Sequence, residues 1–186
     1  MKKILLHACC GPCSTHCVET LRAQDYEPTL FYSNSNIMPV EEYRRRLDAI
    51  RLFSKAADVD LIEDAHDNDA WLGAVRGLEE EKEGGMRCSL CFRYNLGRAA
   101  DYAVKHGFAE FTTSLTVSPH KRSAQVFEAG DSAAAQVAAA HSELSDIPQF
   151  MHVDFKKNNG FLNSKRLSEQ YGLYRQTYCG CVFSMK

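Results

Sequence analysis

The sequence lacks the long apolar runs that mark secreted and membrane proteins. Its N-terminus has only a brief apolar run, Ile4 to Leu6, before His7 and the first cysteines. A secretory signal needs roughly 7–15 consecutive apolar residues, and a membrane-spanning helix needs about 20. We therefore expect a cytoplasmic protein with no membrane partner.

An excess of charge of one sign is also missing. The 22 Lys and Arg residues nearly balance the 24 Asp and Glu residues, for a formal net charge of -2. The charge of the whole molecule therefore indicates no polyanionic partner, although local basic patches can still bind one. Internal repeats, low-complexity linkers and Pro/Gly-rich seams are absent too. We expect residues 1–186 to fold as a single domain.

Cysteine, in contrast, is abundant, with eight residues in the chain. Structural disulfides are rare in a reducing cytoplasm. A chain with 45% hydrophobic residues also needs no cross-links to hold its core together. Eight cysteines in this setting indicate a metal site, a catalytic thiol or both.

Short apolar segments alternate with amphipathic ones along the whole chain. We predict strands near 4–7, 29–32, 60–62, 110–115 and 149–153, and helices near 13–23, 41–57, 90–106, 123–141 and 164–171. A further short helix is expected around Trp71. This alternation predicts an α/β fold with a five-stranded parallel sheet and helices on both faces. Ligands bind such sheets beyond the carboxyl ends of the strands, and Cys9 and Cys10 follow the first strand directly.

The first cysteine motif lies at the predicted strand-to-helix turn, between His7 and Cys17. Backbone N–H groups and the helix dipole at such a turn favour thiolate, which is the form that binds metal. Adjacent Cys9 and Cys10 gain nothing in packing over alanine or valine, so we interpret both as functional. Cys13 and Cys17 share one face of the predicted helix, and Cys17 is interpreted as a small buried apolar residue.

The second motif is Cys88-Ser89-Leu90-Cys91, after the glycines at 84 and 85. Two cysteines at this spacing are typical of a redox dithiol, half of a zinc site or half of an iron–sulfur site. The flanking Arg87 and Arg93 suit a negatively charged cluster or a phosphate, and both are equally compatible with a solvated helix end.

The third motif is Cys179-Gly180-Cys181, near the C-terminus. One intervening residue strains a disulfide, and strain makes such a bond easier to reduce. We therefore expect this pair either to cycle between dithiol and disulfide or to bind one metal through both sulfurs.

Counting ligands divides the cysteines into groups. A [4Fe–4S] cluster takes four thiolates. The candidate ligands are Cys9, Cys10, Cys88 and Cys91. This leaves Cys13, Cys179 and Cys181 as a second thiol group. Structural zinc fits the first four cysteines equally well, but it does not explain the surplus thiols. On the residues alone, an iron–sulfur enzyme, a module structured by zinc and a thiol–disulfide oxidoreductase all stay open.

Several blocks of the sequence resemble the cobalamin-independent epoxyqueuosine reductases of the QueH family. They cover residues 5–14, 35–39, 87–93, 111–115 and 173–181. Their specificity comes from the joint occurrence of Cys-Cys, Cys-x-x-Cys and Tyr-Cys-Gly-Cys in this order.

The resemblance implies an adenine-nucleotide-hydrolase-like (HUP) fold and the last step of queuosine synthesis. In that step epoxyqueuosine at the wobble position of tRNA is reduced to queuosine. The implied partners are the anticodon arm and an electron donor that the sequence does not identify. We expect phosphate contacts from Arg87, Arg93 and Arg175, beside other basic clusters that include Lys121-Arg122. The Ser-Gly-Gly-x-Asp-Ser loop of ATP pyrophosphatases is replaced by Cys-Cys-Gly-Pro-Cys, so that activity is set aside.

The resemblance also implies a cofactor set. A [4Fe–4S] cluster is implied on Cys9, Cys10, Cys88 and Cys91, without cobalamin. Cys179 and Cys181 are implied as redox-active thiols or as ligands of an adjacent mononuclear iron. Some members have aspartate at the position of Cys13, so Cys13 is either a third sulfur ligand of this iron or a redox-active thiol. All three Cys-bearing segments are expected to converge on one site.

Removal of an epoxide oxygen needs two electrons and protons. A cluster passes one electron at a time, so the second thiol group or the iron is expected to store the other. His7, Tyr178 and His120 are the candidate proton donors.

Overall fold

Five short strands pair in parallel to form the central sheet of the computed structural model, which describes residues 1–185. The strands are β1 (Lys2–His7), β2 (Tyr26–Tyr32), β3 (Leu61–Glu63), β4 (Glu110–Thr113) and β5 (Gln149–Phe150). They lie in the order β3-β2-β1-β4-β5. Each neighbouring pair is parallel. The predicted five-stranded parallel sheet is confirmed.

Within residues 1–185, six helices cover the two faces of this sheet. They are α1 (Gly11–Arg22), α2 (Val40–Ala57), α3 (Asn68–Ala74), α4 (Met86–Lys105), α5 (Ser123–Ala140) and α6 (Gly160–Gln170). Successive side chains of a strand point to opposite faces. Ile4 and Leu6 therefore pack with α1 and α2, whereas Leu5 packs with α4 and α5. None of these helices is long and apolar enough to cross a membrane, in the part of the chain that the structure describes.

Three element boundaries differ from the sequence prediction near the cysteines. Helix α4 begins at Met86 instead of Leu90, so Cys88 and Cys91 lie within its first two turns. Strand β4 ends at Thr113 and continues as a 3-10 turn, because the Thr113 hydroxyl accepts a hydrogen bond from the Leu115 amide and caps that turn. Strand β5 has two residues instead of five, because the chain bends at the residues after Phe150.

The order of the strands reverses at β1, which lies between β2 and β4. The segments after β1 and β4 therefore lie side by side at the carboxyl edge of the sheet. Their contact is direct, since the Cys9 amide donates a hydrogen bond to Ser114 Oγ over 3.0 Å. This is the place where α/β sheets of this kind bind ligands.

Candidate active site

Three cysteines of the first motif lie together at the N-terminus of α1. The Sγ atoms of Cys9, Cys10 and Cys13 are all within 4.8 Å of one another. Cys10 occupies the N-cap position, where Ser or Asp commonly accepts a backbone hydrogen bond, and its sulfur accepts from the Cys13 amide at 3.5 Å. We call this group (Cys9, Cys10 and Cys13) the thiol turn. Sequence reasoning had assigned Cys13 to a different group from Cys9 and Cys10.

The sulfurs of the thiol turn receive further hydrogen bonds from distant parts of the chain. Ser114 Oγ donates to Cys9 Sγ at 3.3 Å, and Gln176 Nε2 donates to Cys10 Sγ at 3.1 Å. Hydrogen bonds from the thiols of Cys13 and Cys9 lower the pKa of Cys10 well below its ordinary value. The same contacts with Cys10 raise the pKa of Cys9 to about 12, and they raise that of Cys13 as well. Negative charge on the thiol turn is therefore favoured most at Cys10.

The other thiol group differs from the one that ligand counting predicted: Cys179 and Cys181 lie near Cys88 and Cys91, whereas Cys13 belongs to the thiol turn. Burial is the main cause of the raised pKa of Cys91, and the neighbouring Cys179 is the next. Burial also raises the pKa of Cys88, where Cys179 and Cys181 again contribute.

Both thiols of the second motif accept hydrogen bonds from N–H groups. The Gly84 amide donates to Cys88 Sγ at 3.1 Å, and Asn95 Nδ2 donates to Cys91 Sγ at 3.7 Å. The buried indole N–H of Trp71 lies beside Cys91, where it lowers the pKa of that thiol, and it has no other partner among the described residues. Donors directed at sulfur suit thiolates that bind metal, because they offset the negative charge.

A cavity of about 960 Å³ connects the two thiol groups. Four cysteines line it, two from each group: Cys9, Cys13, Cys91 and Cys179. Polar side chains complete its wall, among them Asn34, Asn36, Asn95, Arg46, His120, Lys121, Arg175, Gln176 and Tyr178. The cavity therefore combines thiols with cationic and amide groups, a composition that can bind a polar, anionic ligand beside a redox centre.

The C-terminal pair was expected either to cycle between dithiol and disulfide or to bind one metal, and residues 1–185 contain no disulfide. All eight cysteines, each within the described residues, are free. Cys179 lines the cavity, whereas Cys181 is buried against Trp71 and Val75. The backbone through Gly180 thus directs the two sulfurs into different surroundings.

Cys17 lies apart from both thiol groups. It is buried in the core under α1, and its thiol donates to the Cys13 carbonyl at 3.3 Å. Burial raises its pKa well above the ordinary value. Its surroundings are those of a small apolar residue.

The three arginines proposed to contact tRNA lie in three different settings. Arg87 is buried, and its guanidinium donates to the backbone carbonyls of residues 78, 79 and 81. It therefore clamps the loop before α4 and presents no charge to a ligand. Arg93 is exposed and pairs with Glu128 at 3.5 Å. Only Arg175 lines the cavity.

The three candidate proton donors also lie in different surroundings. His7 is buried; its Nε2 donates to the Ser33 carbonyl at 3.0 Å, and its Nδ1 lies 2.9 Å from Thr113 Oγ1. Burial lowers the pKa of His7 to about 4, so the imidazole is neutral and ties together the ends of three strands. Tyr178 lines the cavity, but its hydroxyl donates to the Met38 carbonyl. His120 also lines the cavity.

Among the cavity residues that sequence reasoning missed as members of the site are two cationic ones, Lys121 and Arg46. Burial lowers the pKa of Lys121, but the nearby sulfurs of Cys179 and the thiol turn outweigh burial and raise it. Lys121 had been grouped with Arg122 as part of a surface patch. A signal did exist for Arg46, because it falls on the apolar face of α2, between Tyr43 and Ile50 at helical spacing.

The family model for the epoxyqueuosine reductase QueH matches residues 4–186. The chain belongs to the epoxyqueuosine reductase QueH family. Among its relatives is the epoxyqueuosine reductase QueH of Streptococcus pyogenes serotype M1, which is 40% identical over 98% of this chain and 70% of that protein. The family resemblance read from the cysteine motifs is confirmed, and the family is one of oxidoreductases.

Two solved structures share the fold. A predicted subunit of tRNA methyltransferase from Methanocaldococcus jannaschii matches 91% of this chain and 75% of its own, with a TM-score of 0.56 and 13% identity. The U34-tRNA thiolase NcsA from Methanococcus maripaludis, solved with its [4Fe-4S] cluster, matches 100% of this chain and 62% of its own, with a TM-score of 0.58 and 14% identity. These likenesses establish the fold alone, and the expected α/β architecture with a five-stranded parallel sheet is confirmed.

Proposed function

We propose that this chain reduces epoxyqueuosine to queuosine at the wobble position of tRNA, with an iron–sulfur cluster as its cofactor. The epoxide accepts two electrons and two protons, both C–O bonds break, and the products are an alkene and one water molecule. The observation that carries the proposal is the cavity lined by Cys9, Cys13, Cys91 and Cys179. Membership of the reductase family supports the reaction.

The proposed ligands of a [4Fe–4S] cluster are Cys9, Cys10, Cys88 and Cys91. Support comes from the hydrogen bonds to sulfur, since each of these four thiols accepts at least one from an N–H or O–H group. When bound, the cluster supplies electrons one at a time. The donors around the sulfurs would offset its negative charge and so tune its reduction potential.

The second electron store is proposed to involve Cys13, Cys179 and Cys181, as redox-active thiols or as ligands of one iron. Cys13 and Cys179 line the same cavity, whereas Cys181 is buried behind them against Trp71. Of the pair at the C-terminus, Cys179 is therefore the thiol that faces the substrate. Lys121 lines the same cavity and supplies positive charge close to Cys179 and the thiol turn.

His120 is the candidate for proton transfer to the departing oxygen. It lines the cavity, in contrast to His7, and its ring is not committed to a backbone carbonyl as the hydroxyl of Tyr178 is. Proton delivery in the cavity is required because the oxygen leaves as water.

The macromolecular partner is proposed to be the anticodon arm of tRNA. A wobble nucleotide has to leave its stack to enter a cavity, and flanking phosphates must be bound meanwhile. Arg175 at the cavity and exposed Arg93 are the proposed phosphate contacts. The source of electrons is a donor that neither the fold nor the sequence identifies.

The decisive experiment is conversion of epoxyqueuosine-containing tRNA by anaerobically purified, cluster-loaded protein with a chemical reductant. We expect queuosine in the nucleoside digest, measured by mass spectrometry, and iron with acid-labile sulfide in the protein. Cluster-free protein is the matched control. Colourless protein with one zinc and no conversion would show a zinc-structured tRNA-binding module instead.

A further inference from the structure

A single arginine of helix α2 reaches from the core to the C-terminal thiol motif. The side chain of Arg46 is only 2% exposed, and its Nε donates to Glu42 Oε1 at 2.7 Å, one helical turn earlier. A charge that is so deeply buried is costly unless all its donors find partners. The partners of its remaining N–H groups therefore indicate the structural role of Arg46.

Those groups bind the backbone of the third motif. Nη1 of Arg46 donates to the Cys179 carbonyl at 2.9 Å, and Nη2 donates to the Tyr178 carbonyl at 3.1 Å. The guanidinium also lies 5.2 Å from the centre of the Tyr178 ring. One planar group thus connects Glu42 in α2 with two successive peptides at the cavity.

Gly180 lets this contact form. Its φ is +125°, a conformation that side-chain-bearing residues rarely adopt. A Cβ at this position would lie 2.8 Å from Nη1 of Arg46. The absence of a side chain at Gly180 therefore leaves room for the Arg46 guanidinium to pack against the Cys-Gly-Cys motif.

Further contacts of the C-terminal motif are made by residues in or just before α2. Tyr174 donates its hydroxyl to the second carboxylate oxygen of Glu42 at 2.9 Å. The Met38 amide donates to the Gly180 carbonyl at 2.8 Å, and Tyr178 donates back to the Met38 carbonyl. Residues 173–181 include no helix or strand, so these contacts replace the regular structure that fixes other parts of the site.

We propose that Arg46, oriented by Glu42, is a positioning residue that fixes the Cys179 thiol in the cavity. The significance of that position for catalysis rests on the proposed function, whereas the positioning itself does not. The planar fork of arginine can bind a carboxylate and two carbonyls together. The point charge of lysine cannot reach all three.

The test is the rate at which iodoacetamide alkylates Cys179 in the anaerobically purified full-length protein. Arg46→Lys keeps the charge beside Glu42 but loses the fork, and we expect alkylation of Cys179 to rise about tenfold. Arg44→Lys makes the same change on the exposed face of α2 and should leave the rate unchanged. Peptide mass spectrometry reports Cys88 in the same sample as the internal reference.

A milder variant covers the case in which Arg46→Lys fails to fold. Tyr174→Phe removes only the hydrogen bond to Glu42, and we expect a rise of about twofold to threefold in Cys179 alkylation. An unchanged rate in the folded variants overturns the proposal. An equal rise at Cys88 overturns it too, since that result means general loosening.

Steady-state kinetics of the variants test the positioning role of Arg46 independently of the proposed function. In Arg46→Lys we expect kcat for epoxyqueuosine-containing tRNA to fall about tenfold while KM stays unchanged, because a displaced thiol affects the reaction and not the binding of tRNA. A raised KM with unchanged kcat would contradict positioning. If Cys179→Ala retains full activity while Arg46→Lys still accelerates alkylation, the proposed role of Cys179 fails and the positioning stands.

Discussion

The thiol turn and the C-terminal thiol segment (residues 171–185) line the same cavity but are fixed by different forces. The turn continues strand β1, which pairs with β2 on one side and β4 on the other, and the Ala8 amide still donates to Phe31 O at 2.9 Å. Helix α1 then begins directly after Cys10, whose sulfur caps its N-terminus. The C-terminal segment has only a three-residue 3-10 turn at Val182–Ser184 and relies on the side chains of Glu42 and Arg46.

This difference separates two tasks within one site. Metal ligands need fixed geometry, which rigid strands and helices provide better than loops. A thiol that reacts with a substrate benefits from a segment that opens at a lower free energy than the core, because locally held segments can move without global unfolding. We therefore interpret the turn as the rigid half of the site and the segment as its adjustable half.

The largest expected effect is loss of bound iron when a cysteine of the rigid half is substituted. Cys10→Ala removes the thiol that caps α1 and accepts a hydrogen bond from Gln176, and we expect bound iron and acid-labile sulfide to fall at least about tenfold. Cys17→Ala is the matched control, seven residues further along the chain and buried in the core, and it should retain full iron with about 1 kcal/mol lost stability. Chemical iron and sulfide analysis of both variants measures this. Full iron in Cys10→Ala would remove that cysteine from the ligand set.

A pair of glycine substitutions compares the two halves directly. A Cβ at Gly11 would lie 3.0 Å from the Ala49 backbone, where α1 packs on α2. We expect Gly11→Ala to destabilise the whole fold by about 1–3 kcal/mol and to lower Tm. Gly180→Ala combines strain at positive φ with the contact to Arg46. Because its segment opens locally, we expect faster alkylation of Cys179 with little change in Tm.

The control for that pair is Gly172→Ala, in the same C-terminal segment. Gly172 has a φ of +63°, but a Cβ there meets nothing within 4 Å. It should cost about 1 kcal/mol through backbone strain alone and leave Cys179 alkylation nearly unchanged. Equal effects of Gly172→Ala and Gly180→Ala would mean that the close approach to Arg46 is irrelevant.

The smallest expected effect is a pH dependence of the stability that Asp64 contributes near the thiol turn. Asp64 accepts hydrogen bonds from Ser33 Oγ and Arg98 Nη2, each at 2.7 Å, and Ser33 in turn contacts His7. Burial raises the pKa of Asp64, but the bonds from Arg98 and Ser33 outweigh burial and lower it below the ordinary value. The carboxylate therefore adds stability above about pH 4, and this stability is lost as the pH falls through the lowered pKa.

Asp64→Asn should accordingly cost about 1 kcal/mol at pH 7 and less at pH 3, allowing for solvent screening of a partly exposed pair. Thermal unfolding at the two pH values measures the difference. Alkylation of Cys179 should stay unchanged at pH 7, because this network supports the thiol turn and not the C-terminal segment. A cost that grows towards acid pH would contradict the sign of the pKa shift.

Much of the fold followed from local patterns in the chain. Strand β1 and helix α1 were predicted because an apolar run followed by Gly11-Pro12 favours this geometry in any context. The boundaries of α4 and β5 were missed, since the start of α4 and the bend after Phe150 depend on contacts with distant segments. Strand β4 ends earlier than predicted because the Thr113 hydroxyl caps the following 3-10 turn, a side-chain contact that the strand pattern does not reveal.

The sequence by itself determined the α/β class, the family and the eight thiols available for chemistry. These depend on periodicity, residue type and spacing, which are properties of the linear chain. Only the tertiary structure decided that Cys13 joins Cys9 and Cys10, that Arg87 is a buried clamp and that Arg46 and Lys121 face the thiols. Arg46 reaches Cys179 across 133 positions of the chain, a contact that no local pattern records. The grouping of Cys13 with Cys9 and Cys10 and the clamp made by Arg87 lie within a few residues, but they depend on the exact backbone geometry of their turns, which residue spacing alone does not give.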